Sequence, residues 1–554
     1  MGLESVQLTG KIMNFDVVIK NGTVIDGTGS PRFTANIGIS GQRIAALLSN
    51  GNLNGINEID ASGLIIAPGF IDCHSHSDWI VPMRDHDEIL APLLHQGITT
   101  MVGGNCGFSP APVTNTSVEL VERGSEMLRE EALTYQWRSM DEYLAFLDAQ
   151  GILINFAMLA GHGTLRYLVM GAKTEEPSTN DINQLADLAS KAIDEGAYGI
   201  STGLGYAPGI FAPEAELFNV LKAVAERGAL YATHQRTFRR ISSFYKNEAA
   251  TIPHNLLSIR EQLELARRTN VRLQLSHLIF VGRNTWSTYP DALREIDRAA
   301  DNGLDVAFDA FPYTLGNTTI SINFPPWFLA DQHTNLNNTV ALSRFESDFE
   351  TSNSIIGRDW SDIYLMWGGT PQLTDLEGLN FSDIAGHLNT TPFRAYIEVA
   401  KQSDCKARVL QDTFSGDRNS EDALCAVLAH PLCAFELDTI LTRKGQPNPA
   451  SFGAYPRILG KYVREMQLFK LEEAVRRMTS FPARRIGLTE VGEIKIGNYA
   501  DLVAFDPDTV ADNTTYEDFS APPSGIEWVM ISGKVVSERG TLVPKHRCGR
   551  VFKH

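Results

Sequence analysis

Apolar and polar residues follow two patterns along this chain of 554 residues. In residues 15–63, and again in 497–506 and 529–536, short apolar segments alternate with polar positions, and Asn-Gly and Asp-Gly pairs separate several of them. Alternation with a period of two is typical of half-buried strands, and these dipeptides indicate hairpin turns. We therefore predict one small β-sandwich built from both chain ends. Two unrelated strand clusters are the alternative.

Between the two ends, apolar runs alternate with stretches of helical period such as 181–192 and 260–268. Eight repeats of strand and helix indicate an α/β fold of the TIM type, the (β/α)8 barrel, whose active-site residues lie at the carboxyl ends of the strands. The predicted strands are 65–76, 98–106, 154–162, 197–203, 229–236, 271–279, 304–313 and 431–438. The predicted domains are the two parts of the sandwich, 1–64 and 485–554, and the barrel, 65–484.

The first predicted strand ends in His74-Ser75-His76. Because residues two apart on a strand point to the same side, both imidazoles face one way. Neutral imidazole is a borderline ligand that suits zinc, so the pair indicates a divalent metal. A buried histidine pair bonded to the backbone is the alternative. Cys73 is out of phase with the two histidines, and we expect it to face the helices.

Residues that bind metals or transfer protons also end five other predicted strands. They are Cys106, His162, His234, His277 and Asp438. Side chains from separate strands converge at a barrel mouth, whereas randomly placed histidines would not fall so regularly at strand ends. We interpret the remaining histidines as surface or packing residues; they stand at positions 86, 95, 254, 333, 387, 430, 546 and 554.

Cys106 and Asp438 have distinct predicted roles. Cys106 lies among glycines that let the backbone approach a ligand closely, and a thiolate between two cations is deprotonated and able to bridge them. No lysine or glutamate ends the third or fourth predicted strand, so Cys106 is the candidate bridge; an inert buried thiol is the alternative. Asp438 ends an apolar run, where an unpaired carboxylate is costly, and is predicted to act as general base and acid. Glu436 and Asp417 are weaker candidates for that role.

Composition narrows the range of partners. A net charge of −18 argues against nucleic acid and anionic membrane surfaces and leaves small molecules as the expected ligands. Six cysteines without a CxxC pair fit a reducing compartment. Residues 1–11 match neither a signal peptide nor a myristoylation signal, and no apolar run approaches ~18 residues, so we predict a cytoplasmic protein. The oligomeric state is left open, a homo-oligomer included.

Taken together, the motifs resemble the amidohydrolase superfamily and, within it, the D-aminoacylase-like N-acyl-D-amino-acid deacylases. The resemblance covers nearly the whole chain and implies the barrel, the companion sandwich and zinc chemistry. Its motifs are residues 68–78, 104–112, 161–166, 276–277, 308–313, 430–432, 455–460, 482–484 and 497–502. The family also carries an insertion between the last two strands. Residues 320–430 resemble an enlarged form of it, with a composition suited to a lid over the barrel mouth.

The resemblance also implies how the candidate ligands are divided between metal ions. A first site would be lined by His74, His76 and Asp438. A second would be lined by His234 and His277, with Cys106 as the bridge. The second site is the tightly held one in the family, so a single ion suffices. The predicted cofactor is therefore Zn²⁺, as one tightly bound ion or two.

Three positions depart from the family. Its deacylases hold the α-carboxylate of the substrate with a lysine, a tyrosine and an arginine, and the matching residues of this chain are Ile279, Phe311 and Ala450. Burying a carboxylate there without a cation would be costly, so we predict a neutral, apolar or aromatic substrate. A replacement cation from the lid, or Arg443 or Arg457, is the alternative. The predicted substrate-binding residues are Ile279, Phe311, Tyr313, Asn317 and Ala450.

The predicted function is that of a zinc-dependent amidohydrolase, which hydrolyses an amide-type carbon–nitrogen bond with a metal-activated water. Asp438 would take a proton from the water and pass it to the departing nitrogen, and His162 would lie near the leaving group. The alternatives left open are an N-acyl-D-amino-acid deacylase, a hydrolase of a cyclic imide, carbamate or ester, and an inactive metal-binding barrel.

Overall fold

A computed structural model of the protein describes residues 14–49, 51–245, 252–516, 518–544 and 547–554. The expectations for the first eleven residues and for His546 therefore lie outside the described residues. In the described part of the chain, no helix is both long and apolar enough to cross a lipid bilayer.

Strands and helices alternate through most of the chain. In chain order, the strands are β1 (Asn14–Val24), β2 (Phe33–Ser40), β3 (Arg43–Leu48), β4 (Asn54–Asp60), β5 (Ile65–Pro68), β6 (Phe70–Asp72), β7 (Ile98–Gly103), β8 (Asn155–Met158), β9 (Ala160–Gly161), β10 (Gly199–Gly203), β11 (Leu230–His234), β12 (Arg272–Leu275), β13 (Val306–Ala310), β14 (Gly316–Thr319), β15 (Ile363–Trp367), β16 (Arg408–Gln411), β17 (Cys433–Phe435), β18 (Leu502–Phe505), β19 (Ile526–Ile531), β20 (Lys534–Glu538) and β21 (Thr541–Leu542).

The helices begin after the first six strands. They are α1 (His86–His95), α2 (Val118–Gly124), α3 (Met140–Gln150), α4 (His162–Met170), α5 (Thr179–Asp194), α6 (Glu214–Ala225), α7 (His254–Thr269), α8 (Arg283–Trp286), α9 (Tyr289–Asp301), α10 (Pro326–Leu329), α11 (Gln332–Leu336), α12 (Thr339–Ile356), α13 (Phe381–His387), α14 (Pro392–Gln402), α15 (Asp422–Ala429), α16 (Ala450–Arg457), α17 (Leu471–Met478) and α18 (Ser480–Ile486).

The two ends of the chain form one nine-stranded sheet. β1 is antiparallel to β2 and parallel to β4, and β18, from the far end of the chain, pairs with β5. Apolar side chains from both ends, among them Ile37, Ile66 and Leu502, share one buried core. The prediction that both chain ends build a single β domain is confirmed.

Parallel strands form the barrel. β6, β7 and β8 pair in one row, and β9 to β13 pair in a second row that ends with β17. β8 and β9 are two halves of one strand that is interrupted at Leu159, and they join the two rows. Between the last and first strands, Ser75 and Thr439 form a parallel bridge, and the Asp438 amide donates to the His74 carbonyl at 3.2 Å. The strands therefore close on themselves, which confirms the (β/α)8 prediction.

The predicted strand 65–76 is in fact two strands. β5 lies in the nine-stranded sheet, and only β6 belongs to the barrel. Gly69 separates them at a point where a Cβ atom would lie 2.1 Å from the Thr99 side chain, so the chain changes sheet where only glycine fits. At the other end, Gly549 forms a β-bridge to the barrel at Ile152. A segment from the C-terminal end thus contacts the barrel. The predicted domain bounds stay a prediction.

The strand phase predicted that Cys73 faces the helices, but its side chain lies inside the barrel. Its side chain packs in one buried cluster with Ala157, Leu230 and Ala434, which come from β8, β11 and β17. Residues from strands that are not neighbours meet only in the barrel interior. The prediction is wrong because Cys73 keeps the phase of Ile71, which lies in the same cluster, whereas His74 and His76 come after the end of β6 and do not follow its alternation.

The insertion between the last two barrel strands has its own sheet and core. β14, β16 and β15 pair as a three-stranded antiparallel sheet, and α10 to α14 pack around a separate apolar cluster that includes Phe324, Phe345 and Tyr396. The insertion begins with β14 at Gly316 and ends before α15, so its bounds differ from the predicted 320–430 at both ends. α15 packs on α9 and β17 as one of the barrel helices.

Candidate metal centre

Six side chains converge at the carboxyl ends of the barrel strands. His74, His76, Cys106 and Asp438 form one set of potential metal donors, and Cys106, His234 and His277 form another. Within each set the donor atoms all lie within 4.8 Å of one another. The structure thus brings together every residue that the sequence analysis assigned to a metal, and their role as ligands stays a prediction.

The distances between donor atoms are close to those around a zinc ion, except for one pair in the second set. His74 Nε2 lies 3.3 Å from Cys106 Sγ, and Asp438 Oδ1 lies 3.5 Å from His74 Nε2 and 3.3 Å from His76 Nε2. In the other set, Cys106 Sγ lies 3.8 Å from His234 Nδ1 and 3.4 Å from His277 Nε2. Ligands around a tetrahedral zinc ion stand roughly 3.3–3.7 Å apart. The two imidazole nitrogens of this second set, 2.9 Å apart, are the pair that must separate slightly to hold an ion.

Short loops, and not the strands themselves, present most of these donors. β6 ends at Asp72, before His74, and β12 and β17 end before His277 and Asp438. Cys106, His277 and Asp438 have φ angles of 51°, 33° and 44°, in the left-handed region that is uncommon outside glycine. Strained residues of this kind collect at functional sites. The prediction from strand alternation was therefore wrong in detail, because the imidazoles converge through the loops after the strands.

The glycine-rich turn before Cys106 passes close to the neighbouring strand. Gly104 has a φ of +77°, and a Cβ atom there would lie 1.8 Å from the carbonyl oxygen of Leu159. Only glycine satisfies both constraints. Gly104 therefore allows the turn to pack against the backbone at Leu159, and this packing helps to position the Cys106 thiol.

Cys106 and Asp438 are both held in their charged forms. Burial alone would raise the pKa of the Cys106 thiol, but the imidazoles of His74 and His277 bring it well below its usual value. Burial also opposes ionisation of Asp438, and the same two imidazoles keep the pKa of its carboxyl below the usual range. Burial lowers the pKa of His234 to about 4, so this imidazole is neutral at pH 7. The two anions in turn raise the pKa values of His74, His76 and His277 against the effect of burial, so these imidazoles must release their protons when a divalent cation binds.

Asp309, at the end of β13, supports the donors from behind. Its Oδ1 accepts a hydrogen bond from the His277 amide at 2.6 Å and lies 3.4 Å from His74 Nδ1, and its Oδ2 accepts from Gln274 at 2.7 Å. A carboxylate behind a ligating imidazole fixes the orientation and tautomer of the ring. The sequence analysis missed this residue, although it lies in the motif 308–313 that was used for the family resemblance.

A cavity of about 460 Å³ opens above the donor atoms. We call His234, His277 and Asp438 its floor. The residues of the insertion that face it are called the lid wall and include Asn323, Phe324, Phe345 and Phe349. Apolar and aromatic side chains with a few polar groups are typical of small-molecule sites. Ile279 and Asn317, both predicted to bind substrate, line this cavity.

Three other predicted substrate-binding residues are not part of the cavity lining. Phe311 packs on Phe414, with ring centres 6.5 Å apart. The hydroxyl of Tyr313 donates to Asp512 at 2.8 Å, and Ala450 is completely buried at the start of α16. The structure corrects these assignments, because the side chains are used for packing and for contact with the C-terminal segment.

The weaker candidates from the sequence are engaged elsewhere. Arg443 pairs with Asp85 and Glu88 at 2.8 and 3.1 Å, so it is not a free cation. Arg457 pairs with Asp512 at 3.1 Å, and Asp417 pairs with Arg283 at 2.9 Å. Glu436 is completely buried and lies outside the cavity lining. Among the described residues, neither donor set includes the histidines at 86, 95, 254, 333, 387, 430 and 554.

His162 is part of a buried ionic cluster and not of the cavity. Its Nε2 lies 2.7 Å from Glu216, whose other oxygen accepts from Arg166. All three side chains have no exposed surface, and none of the three lines the cavity. The histidine therefore links α4 to α6, and the predicted role near the leaving group is not retained.

Replacement of Glu216 tests this structural role. Glu216→Ala is expected to lower the free energy of unfolding by about 3–5 kcal/mol, because Arg166 would remain buried without its carboxylate. The folded fraction should keep kcat within about threefold of the wild-type value, since the cavity is untouched. Urea unfolding and steady-state kinetics measure the two quantities. The exposed Glu264→Ala, which removes only a surface pair with Arg267, serves as the control with a loss of about 1 kcal/mol or less. A loss of activity without a loss of stability would return His162 to the catalytic set.

The mouth of this parallel (β/α)8 barrel carries two donor sets that share the Cys106 thiolate, and one of the sets includes the ionised carboxylate of Asp438. Such a site defines a metal-dependent hydrolase. Amidohydrolase family models match residues 57–233 and 453–536. The N-acyl-D-glutamate deacylase of Alcaligenes xylosoxydans xylosoxydans is 33% identical over 541 residues, which cover 97% of this chain and 96% of that protein.

Solved structures give the same result. The N-acyl-D-glutamate deacylase from Bordetella bronchiseptica, complexed with zinc and a phosphonate mimic of the tetrahedral intermediate, is similar with a TM-score of 0.81 and 31% identity over 98% of this chain and 100% of that chain. A D-aminoacylase with a binuclear metal centre is similar with a TM-score of 0.80 and 29% identity over the same shares. The chain belongs to the D-aminoacylase-like amidohydrolases, enzymes that hydrolyse carbon–nitrogen bonds, which confirms the resemblance of its motifs.

Proposed function

We propose that the protein is a zinc-dependent deacylase that hydrolyses the amide bond of N-acyl-D-amino acids. The observation that carries the proposal is the pair of donor sets at the base of a ligand-sized cavity, in a chain that is similar over its whole length to an N-acyl-D-glutamate deacylase. The neutral substrate predicted first from the sequence has less support than this alternative.

Zinc suits both donor sets. Imidazole and thiolate are preferred zinc ligands, whereas magnesium and calcium take oxygen ligands. The Bordetella relative is complexed with zinc. We propose one tightly held ion at Cys106, His234 and His277, and a second, weaker one at His74, His76 and Asp438, with Cys106 as the bridge.

Asp438 carries the proton in the proposed reaction. When bound, zinc lowers the pKa of a water molecule and polarises the amide carbonyl. Asp438 lines the cavity, and its carboxylate is ionised, so it accepts a proton from the attacking water. The same carboxyl then donates that proton to the departing nitrogen. His234 and His277 would hold the zinc ion, and Ile279 would contact an apolar part of the substrate.

One observation favours a second candidate, a hydrolase of neutral amides. Ile279 lines the cavity close to His277, at the position where the related deacylases carry a lysine for the α-carboxylate. An apolar side chain there gives a carboxylate no compensation for lost hydration. The two candidates differ in whether another cation of the cavity binds the α-carboxylate of the substrate.

The first test combines zinc content with a substrate panel. The purified protein is expected to contain one to two zinc ions per chain and to hydrolyse N-acetyl-D-amino acids at least about 100-fold better than their L-enantiomers. Elemental analysis and kcat/KM for both enantiomers, together with matched neutral amides, give the result. Turnover of the neutral amides alone would favour the second candidate. Zinc binding without any turnover would favour the inactive barrel.

We further propose that the protein acts on small molecules in the cytoplasm. All six cysteines are free, which supports a reducing compartment.

A further inference from the structure

A cation lies at the lid wall of the cavity. Arg239 follows His234 by five residues on the loop that leaves β11, and it lines the cavity. Its neighbour Phe238 lies beside the floor, with its ring centre 4.9 Å from that of His234 and 5.1 Å from that of His277. Nη2 of Arg239 reaches the insertion and donates to Asn323 Oδ1 at 2.5 Å. The loop thus places an aromatic ring next to the metal donors and a positive charge at the lid wall.

A second guanidinium lies behind the first. Arg358 is only 3% exposed, and its Nη2 donates to the same Asn323 oxygen at 3.1 Å. It also donates to Asn353 Oδ1 at 2.8 Å and to Gln411 Oε1 at 2.7 Å. Every one of these acceptors is a neutral amide. We call Arg239, Asn323 and Arg358 the arginine cluster.

Among the described residues, no carboxylate lies within 4 Å of either guanidinium of the cluster. Other arginines in the cavity lining have such partners: Arg236 pairs with Glu261 at 2.8 Å and Arg344 with Asp348 at 3.8 Å. Burial lowers the pKa of Arg239 to about 10, so it remains charged at pH 7. Burial, and then the charge of Arg239, lower the pKa of Arg358. Two like charges that share one amide oxygen are costly, and an anion from outside the chain would stabilise them.

We propose that Arg239 binds a carboxylate of the substrate at the lid wall, with Asn323 and Arg358 as positioning residues. The inference rests on the proposed deacylase function and deepens it. A guanidinium presents a planar fork of N–H groups that matches a carboxylate. Within the described chain, the Arg239 guanidinium makes one side-chain hydrogen bond, to Asn323, so its other N–H groups are available to a ligand.

The position of the cation defines which carboxylate it reads. Phe238 and Ile279 give the region next to His277 an apolar surface, whereas the charge of Arg239 lies at the lid wall. The carboxylate bound there is therefore remote from the scissile amide. The substrate class is an N-acyl amino acid with an acidic side chain, and the side-chain carboxylate contacts Arg239.

Arg239→Met removes the charge and keeps most of the side-chain length. N-acetyl-D-glutamate and N-acetyl-D-glutamine differ only in the remote carboxylate, so they isolate its contribution. The variant is expected to raise KM for the glutamate derivative by about 30-fold and to change KM for the glutamine derivative by less than about threefold. Arg240→Met is the matched control, because Arg240 is the next residue on the same loop but is exposed and does not line the cavity. It should leave both values unchanged. An equal rise of both KM values in Arg239→Met would overturn the proposal.

Asn323→Asp tests the cluster in the opposite direction. The added carboxylate would lie between the two guanidiniums and would compete with the substrate for Arg239. The expected result is a KM rise of at least about tenfold for the glutamate derivative only, together with a Tm that is raised by about 2 °C or more. A lower Tm with equal loss of affinity for both substrates would mean that the cluster is purely structural.

A binding measurement separates this proposal from the deacylase function. Calorimetric titration of the zinc-loaded protein with glutarate requires no turnover. Binding that weakens about 30-fold in Arg239→Met and not in Arg240→Met supports the anion site, even if no N-acyl amino acid is hydrolysed and the deacylase proposal fails. Equal affinity of the wild type and Arg239→Met for glutarate would overturn the anion site, even if deacylase activity is found.

Discussion

Asp438→Asn is expected to lower kcat by about 10³- to 10⁴-fold, the largest loss from any single change that leaves zinc in the protein. The amide of asparagine occupies nearly the same volume but accepts no proton at neutral pH. Asp438 belongs to one donor set only, so the set of Cys106, His234 and His277 stays complete and keeps its ion. The expected phenotype is therefore an enzyme that binds zinc and substrate and fails in proton transfer.

Steady-state kinetics and zinc analysis of the same preparation check this result. The matched control is Asp348→Asn, which makes the same change in a carboxylate that lines the same cavity at the lid wall and is about half exposed. Its kcat should stay within about threefold of the wild-type value. If Asp438→Asn kept more than a tenth of the activity with its zinc bound, the proton carrier would have to be another group.

His277→Ala is expected to remove the tightly held zinc ion and about 10⁴-fold or more of the activity. His277 Nε2 lies 3.4 Å from Cys106 Sγ and 2.9 Å from His234 Nδ1, so its loss leaves that set with two donors. Two donors do not make a structural or catalytic zinc site, which takes three or four protein ligands. The loss of activity should follow the loss of zinc and should not be restored by zinc at micromolar concentration.

His74→Ala is the informative comparison for His277→Ala, since it damages the other donor set. If the division into a tight and a weak site holds, His74→Ala keeps one zinc ion per chain, whereas His277→Ala keeps none. The exposed His387→Ala controls for the loss of any histidine and should match the wild type in both zinc and activity. Retention of a full zinc complement in His277→Ala would refute the assignment of the tight site.

Much of the fold was predictable because its signals are local. Alternating apolar residues and Asn-Gly turns indicated the sheet of the two chain ends, and eight apolar runs separated by helical stretches indicated the barrel. The rule that side chains converge at the carboxyl ends of barrel strands then brought His74, Cys106, His234, His277 and Asp438 together, although they are distant in sequence. The structure has them within a few ångströms of one another.

The errors lie where local pattern carries no information about direction. His162 was chosen because it ends a predicted strand, yet its imidazole is bound by Glu216 from α6, and no strand signal encodes that partner. Cys73 was assigned to the wrong side of the barrel because its phase was taken from His74 and His76, which follow the end of β6, whereas Cys73 keeps the phase of Ile71. Asp309 was overlooked because a buried carboxylate behind a ligand looks, in sequence, like any strand residue.

By itself, the sequence determined the class of protein, because the period of apolar positions, the turn residues and the spacing of metal-binding side chains are all properties of neighbouring residues. Only the tertiary structure brought together the residues of the proposed anion site. The loss of three family anchors at Ile279, Phe311 and Ala450 suggested a neutral substrate. Arg239, Asn323 and Arg358 come from a barrel loop and two separate parts of the insertion, so nothing in the chain order places them together. Their charges meet only after the insertion folds onto the barrel, and burial without a carboxylate partner then makes them a site for an anion.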